Sequence, residues 1–312
     1  MQAIHHADSF KYGMKWLTVK DRDYLYRVTD ARGNAKSLGL RSPKTEALFE
    51  EFNAARARAK ERLVALDVRV KSQARLNKAV FLGSFPTIAS EILHALNLSQ
   101  ARDDFRLVGT YAIYAYAAMA GTQLKMELLA SGDIDLLYDH RKQLSLVSKH
   151  LEGNGLLGLL RKVDKSFDIS NRETFRAINK TGFMVDLITP VRDMRENEII
   201  KFACDDLEAV EVPNLHWLAN SPCVESVIIA ANGMPVNARV PDPRAFVIHK
   251  AWLSQQKDRD PVKKPRDLSQ SKMVLTLLNE YLPQFPFQKD QMRYFPNAIY
   301  SQFFGNINTN TP

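Results

Sequence analysis

The chain has 312 residues, 45% of them apolar and 25% charged, with a formal charge of +8. That length holds one large domain or two to three ordinary ones, the composition matches an ordinary soluble globular protein, and the positive excess suits a polyanionic partner without establishing one. The two cysteines, Cys204 and Cys223, lack zinc-site spacing; no apolar run marks a signal peptide, and the longest apolar stretch, LVGTYAIYAYAAMAG, is too short for a bilayer. A cytoplasmic protein with two packed thiols and no membrane contact is therefore expected.

Residues 23–42, DYLYRVTDARGNAKSLGLRS, alternate around the turn DARGN and predict a hairpin. Ser42-Pro43 then opens a charged helix running to Leu76, with Leu48, Phe52, Ala55, Leu63, Leu66 and Val70 recurring at helical spacing. Its other faces are rich in Arg and Lys, which fits either a solvated surface or one that binds nucleic acid. A helix over about 86–98 precedes the strand FRLVG, and the tyrosine- and alanine-rich run from Thr110 to Ala120 reads as a buried helix. TQLKMELL and DIDLLY follow as strands, and residues 139–163 read as helical with a break at EGNG. FRAINKTGFMVDLITP is a hairpin turning at Lys180-Thr181-Gly182. A third region starts near residue 200, with CVESVIIAANGMPVNARV as a hairpin closed at Asn232-Gly233, then helices over about 243–256 and 267–282. The tail from Phe285 shows no period, and the chain contains no internal repeat.

The chemistry concentrates in SGDIDLLYDH. Strand side chains alternate faces, so Asp133 and Asp135 point one way while Ile134 and Leu136 point the other. Two half-buried like charges destabilise each other unless a cation sits between them, and a divalent metal ion is the cheapest candidate. Gly109-Thr110 ends one strand and opens a helix, where backbone N–H groups can approach a phosphate and the helix N-terminus favours an anion. Asp186, in FMVDLITP, adds a third carboxylate from a neighbouring strand. Three acidic oxygen donors suit a hard cation such as magnesium, with manganese as its substitute, and two such ions can clamp an in-line phosphoryl displacement.

This order of Gly-Thr, helix, Asp-x-Asp and a distant strand Asp resembles the nucleotidyltransferase (polymerase-beta-like) fold. LVGTYAIYAYAAMAG, SGDIDLL, GLLGLLRKVDKSF, GFMVDLI and VPDPRAFVIHKAWLSQQKDRDPVKKPRDLSQ are similar to a bacterial group of nucleotidyltransferase-fold proteins, organised like the abortive-infection nucleotidyltransferase toxins. The likeness covers about residues 20–285 and is most specific in PDPRAFVIHK and the Asp pair. Thr110 stands where the superfamily usually has Ser or Gly. The interval from Gly109 to Asp133 is longer than the general motif, as if TQLKMELL were an inserted strand, and the closer group shares that interval.

The resemblance implies an α/β (α+β) protein with a mixed-sheet core at residues 101–200. An N-terminal hairpin and helical region (1–100) precedes that core, and a mixed, largely helical region (201–312) closes the nucleotide cleft. By the same resemblance Gly109 and Thr110 hold a triphosphate, and Asp133, Asp135 and Asp186 hold the metals, with Asp186 deprotonating the acceptor. The C-terminal block places Arg244, His249, Lys250 and Ser254 on one helix, followed by Arg259, Lys263, Lys264, Arg266 and Asp267. Lys250 and Ser254 share a face, and Lys250 looks like a nucleotide contact with Lys264 and Arg266 on the same side; a solvated charged loop is the competing reading. His249 and His140 are expected as packed or hydrogen-bonded histidines, Trp217 and Trp252 as core.

The implied activity is magnesium-dependent transfer of a nucleoside monophosphate from an NTP to an acceptor hydroxyl, releasing pyrophosphate. RNA, for instance a tRNA 3′ end, is the favoured acceptor; a protein hydroxyl or a small molecule stays open. The implied setting is a toxin or phage-defence component with a cognate partner. A non-catalytic nucleotide-binding or protein-interaction module of such a pair is the alternative.

Overall fold

Leu25 is wholly buried while its strand neighbours are only half so, and this sets the layout of the first 75 residues. A computed structural model describes residues 2–124, 131–139, 144–151, 153–192 and 199–307, arranged as two compact units, Met1–Arg75 and Leu76–Pro312. The first unit contains α1 (Gln2–Asp8), an antiparallel sheet of β1 (Met14–Val19), β2 (Arg22–Val28) and β3 (Ala35–Leu40), and most of α2 (Pro43–Ala79). The expected hairpin is β2–β3; β1 was not expected. Its turn to β2 uses Lys20 and Asp21, both at positive φ (51° and 57°), a conformation normally signalled by Asn or Gly. One sheet face meets α2, where Trp16 packs on Phe49 at 5.8 Å and the Arg27 guanidinium lies 4.2 Å from the Phe52 ring centroid. Leu48, expected in the buried stripe, is exposed because its neighbour Phe49 takes that contact.

In the second unit α3 (Thr87–Leu98) leads to β4 (Phe105–Val108), α4 (Gly109–Met119), β5 (Asp133–Tyr138), α5 (Leu144–His150) and α6 (Gly155–Val163). Then come β6 (Asp168–Ile169), β7 (Arg176–Ile178), β8 (Met184–Pro190), β9 (Val210–Val212), α7 (His216–Asn220) and the hairpin β10 (Cys223–Ile229) and β11 (Pro235–Pro241). α8 (Pro243–Gln255), α9 (Lys263–Tyr281) and α10 (Asn297–Ile307) finish it. The central sheet runs β4-β5-β8-β7-β6, with β9 beside β8; β5 and β9 are parallel to β8, the other pairs antiparallel. This is the expected mixed α/β architecture.

α4 is apolar on every side and is buried on every side from Thr110 to Ala117. Two of its tyrosines tolerate this because their hydroxyls find carbonyls: Tyr111 donates to Ser131 at 2.7 Å and Tyr116 to Pro241 at 3.0 Å. Ile134 and Leu136 of β5 and Val185 and Leu187 of β8 are fully buried in the same core, which leaves the alternate residues of these strands on the other face.

Several expectations change. Cys204, expected as a packed thiol, is exposed because it sits in the surface turn before Asp206. α9 starts before residue 267, since Pro265 falls in its first turn, where its missing N–H costs no helical bond. The tail is not without structure: α10 sets Ile299, Tyr300 and Phe303 against a second core around Trp217 and Ile248. Of the expected strand TQLKMELL, Thr122–Leu124 carry no regular structure, and residues 125–130 lie outside the described residues, as does His140. No helix among the described residues is long and apolar enough to cross a membrane.

The PDPRAF block fixes α8. Asp242 caps it by accepting from the Arg244 N–H (2.8 Å) and pairs with the Arg244 guanidinium (2.7 Å), which also donates to the Pro286 carbonyl at 2.7 Å. Both residues are buried, so Asp242→Ala removes a cap and leaves an unpaired buried cation. The expected loss is about 3–5 kcal/mol of stability, read by chemical denaturation, with Asp242→Asn losing less because it keeps the cap.

Candidate active site

Register alone brings the key carboxylates together. In the parallel pair β5–β8, Asp135 stands opposite Asp186, and in the antiparallel pair β7–β8, Arg176 stands opposite the same Asp186. On the other side of β5, Asp135 pairs with Val108, the last residue before the Gly109 bend. One row across four strands therefore reads Val108, Asp135, Asp186, Arg176. Asp133 lies two residues back on the same face as Asp135, held by a hydrogen bond from the Ser131 hydroxyl. One carboxylate oxygen from each of Asp133, Asp135 and Asp186 lies within 4.8 Å of the others.

Gly109 is required at its position twice over. Its φ is +64°, and a Cβ there would lie 2.0 Å from Asp135 Oδ2. Thr110 begins the buried helix, and its hydroxyl is not free: it accepts from Arg266 Nη2 at 2.9 Å and Gln270 Nε2 at 3.0 Å, both on α9. Sequence reasoning named Arg266 but missed Gln270.

Arg176 was missed as well. Its Nε and Nη2 donate to the two oxygens of Asp186, each at 2.7 Å, and its Nη1 to Glu173 at 2.5 Å. The hydrogen bonds to Asp186 raise the already high pKa of the guanidinium. A signal existed: Arg176 and Asp186 are equidistant from Thr181 in the hairpin turn, so antiparallel pairing had to set them opposite.

The basic block contributes unequally. Lys250 is buried and bonds Asp267 at 2.6 Å, while Arg259 Nε bonds the second oxygen of Asp267 at 2.8 Å. Burial pushes the Lys250 ammonium down against the opposing pull of Asp267 and Asp135. Burial also pushes the Asp267 carboxyl up, but Lys250 and Arg259 outweigh it and hold it below the usual range. Ser254 spends its hydroxyl on the Ala251 carbonyl of its own helix (2.7 Å), and no described contact ties it or the half-buried Lys264 to the carboxylates. His249 is packed as expected, between Trp217 and Trp252, with burial pushing its pKa down to about 3. Trp217 is core, and Trp252 packs against it at 5.1 Å.

Burial first, then the charges of Asp133 and Asp186, push the Asp135 carboxyl up to about 7, although Lys250 and Arg176 oppose the shift. A carboxylate so lacking in countercharge, within an all-oxygen donor set, fits a hard divalent cation. Magnesium would be held by Asp133, Asp135 and Asp186; soft metals find no thiolate or imidazole in this cluster.

A family model described as Nucleotidyltransferase matches residues 87–295, two thirds of the chain. No curated protein and no solved structure matches it.

Two outcomes follow from this geometry. Because the Asp135 carboxyl holds its proton up to about 7, the sign of the pH dependence is set: the ion must displace that proton below pH 7 and need not above it. Magnesium or manganese affinity, read by calorimetry, is expected to weaken on the order of thirtyfold from pH 8 to about pH 5.5, and Asp135→Asn should flatten that profile. In Gly109→Ala the added Cβ collides with Asp135, so the variant should fold with about 1–3 kcal/mol less stability and bind the ion more weakly, both visible in melts with and without the metal.

Proposed function

We propose that this chain, which belongs to the nucleotidyltransferase family, transfers a nucleoside monophosphate from an NTP to an acceptor hydroxyl. The observation that carries the reading is the row of Asp135 and Asp186 on two parallel strands, with Asp133 beside them, at the mouth of the Gly109 bend. A carboxylate set of this kind has no purpose in packing and a clear one in holding cations at a triphosphate.

Each residue has a defined task. Gly109 lets the chain turn tightly enough for the first N–H groups of α4 to face the phosphates, where the helix dipole favours an anion. Arg266 and Gln270 fix the Thr110 hydroxyl and with it the first turn of that helix. Lys250, buried beside Asp267 and felt by Asp135, supplies positive charge on the nucleotide side. Arg176 holds both Asp186 oxygens from one side and leaves each a second lone pair toward the cleft.

The acceptor oxygen attacks the α-phosphorus; the new O–P bond forms as the bond to the β-phosphate oxygen breaks, and the acceptor's proton goes to Asp186. Divalent ions, when bound at the three aspartates, would acidify that hydroxyl and neutralise the departing pyrophosphate. The positive charge of the chain supports RNA, such as a tRNA 3′ end, as acceptor over a protein hydroxyl or a small molecule. The resemblance of the chain's organisation to the abortive-infection nucleotidyltransferase toxins supports a toxin or phage-defence role with a cognate partner, in a cytoplasmic setting. In this reading residues 201–312 close the nucleotide cleft.

The test incubates the protein with α-labelled NTPs, magnesium and total RNA, then with lysate. Label is expected on an acceptor, with Asp133→Ala/Asp135→Ala reducing transfer at least about hundredfold. Tight nucleotide binding with no transfer to any acceptor would instead make the chain a nucleotide-binding or interaction module.

A further inference from the structure

The net charge is not spread along the chain. Met1–Arg75 carries 16 of the 43 Lys and Arg residues and nine of the 35 Asp and Glu residues, a net +7 out of the total +8. The remaining 237 residues, which contain the aspartate cluster, are nearly neutral. A basic unit appended to a neutral core is the electrostatic footprint of a polyanion-binding module.

The sheet of this unit has one face to spare. Its inner face, with Trp16, Leu25 and Arg27, is covered by Phe49 and Phe52 of α2. Alternation puts Tyr24 and Tyr26 on the other face, and the strand register completes the set: Lys15 stands opposite Tyr26, Leu17 opposite Tyr24, Val19 opposite Arg22, and Leu40 beside Tyr24. Leu17, Val19 and Leu40 are 39%, 45% and 43% exposed. No acidic residue occupies any of these outward positions, since Asp23 is on the inner face, where it binds Thr18 and Arg41. Aromatic rings held by a sheet, flanked by Lys and Arg and free of carboxylates, form a stacking platform for bases with countercharge for phosphates.

We propose that the outer face of this sheet binds a single-stranded polynucleotide, its bases stacking on Tyr24 and Tyr26 and its phosphates meeting Lys15 and Arg22. Two residues apart on a strand, the tyrosines are about 7 Å from one another, roughly twice the 3.4 Å per nucleotide of a stacked strand. Successive bases reach both rings only when unstacked, so a duplex is excluded. The charge balance favours a polyanion over a protein partner for the exposed aliphatics, which then line the platform against the base edges. This goes beyond nucleotidyl transfer and gives the N-terminal unit a task of its own: it holds the chain that carries the acceptor end.

The probe is a fluorescein-labelled 12-nucleotide oligouridylate, titrated with the full-length protein by anisotropy. Saturable binding is expected, weakening about sevenfold between 50 and 200 mM salt, as two phosphate contacts on a single strand require. Tyr24→Ala/Tyr26→Ala should weaken it about tenfold or more, while Tyr24→Phe/Tyr26→Phe keeps the rings and should stay within about twofold of wild type. Competition by oligothymidylate as well as by oligouridylate supports a reader of single strands in general; competition by oligouridylate alone supports one that uses the 2′-hydroxyl. An Asp133→Asn/Asp135→Asn chain should bind as wild type, so binding and transfer can fail separately. The proposal is overturned if the wild-type chain does not bind the oligonucleotide, if duplex competes equally, or if the Phe variant fails alongside the Ala variant. Tyrosine-dependent dimerisation without oligonucleotide binding would overturn it too, making the face a protein interface.

Discussion

Everything in the second unit answers to one electrostatic constraint: three carboxylates crowd one end of a sheet, with oxygens within 4.8 Å of each other. Unrelieved, such a group costs stability through mutual repulsion and lost hydration. The fold relieves part of it with Arg176, which spends a bidentate fork on Asp186, and part with Lys250, whose charge opposes the rise in the Asp135 pKa. What remains is visible as an Asp135 carboxyl held up to about 7. Formally, three aspartates and one arginine leave two negative charges, the complement of one divalent ion. The residual imbalance is thus what a cluster able to hold a cation shows before the cation arrives.

The surrounding elements read as consequences. Asp135 lies so close to the β4–α4 bend that only glycine fits there. α4 must begin inside the core, which is why it is apolar on all sides and needs carbonyl partners for its tyrosines. α9 must reach back to hold Thr110, and α8 must be pinned by the Asp242–Arg244 pair so that Lys250 stays buried beside Asp267. A chain of this kind trades stability at one end of the sheet for preorganisation there.

Much of this was legible in the sequence because the signals were local. The Asp-x-Asp alternation, the all-apolar α4, the Asn232-Gly233 turn and the Ser-Pro helix start each rest on neighbours within a few residues, and each element formed. The unread features depend on distant partners or unusual turns. Lys20-Asp21 makes a positive-φ turn without Asn or Gly, so β1 was invisible. Gln270 meets Thr110 across 160 residues of sequence, a contact that no periodicity encodes. α10 has its apolar residues partnered by Trp217 and Ile248 rather than by its own pattern. Lys250 and Ser254 were grouped by helical spacing, yet only Lys250 is drawn to the charges; Ser254 turns its hydroxyl to the helix backbone.

The two units divide the labour of a charged reaction in a way that physical chemistry recommends. A site that must gather cations needs local negative charge, and a strong positive field around it would oppose their binding. A polynucleotide needs the opposite field. With +7 on Met1–Arg75 and the unit that carries the aspartate cluster close to neutral, the charge distribution is compatible with both demands on one chain. The tyrosines of α4 and those of β2 differ in kind: the former are buried, with Tyr111 and Tyr116 donating to carbonyls, while Tyr24 and Tyr26 are only partly buried. Identical side chains serve as packing where the core encloses their helix and as a surface where one sheet face stays open, so the cover over each element decides their use.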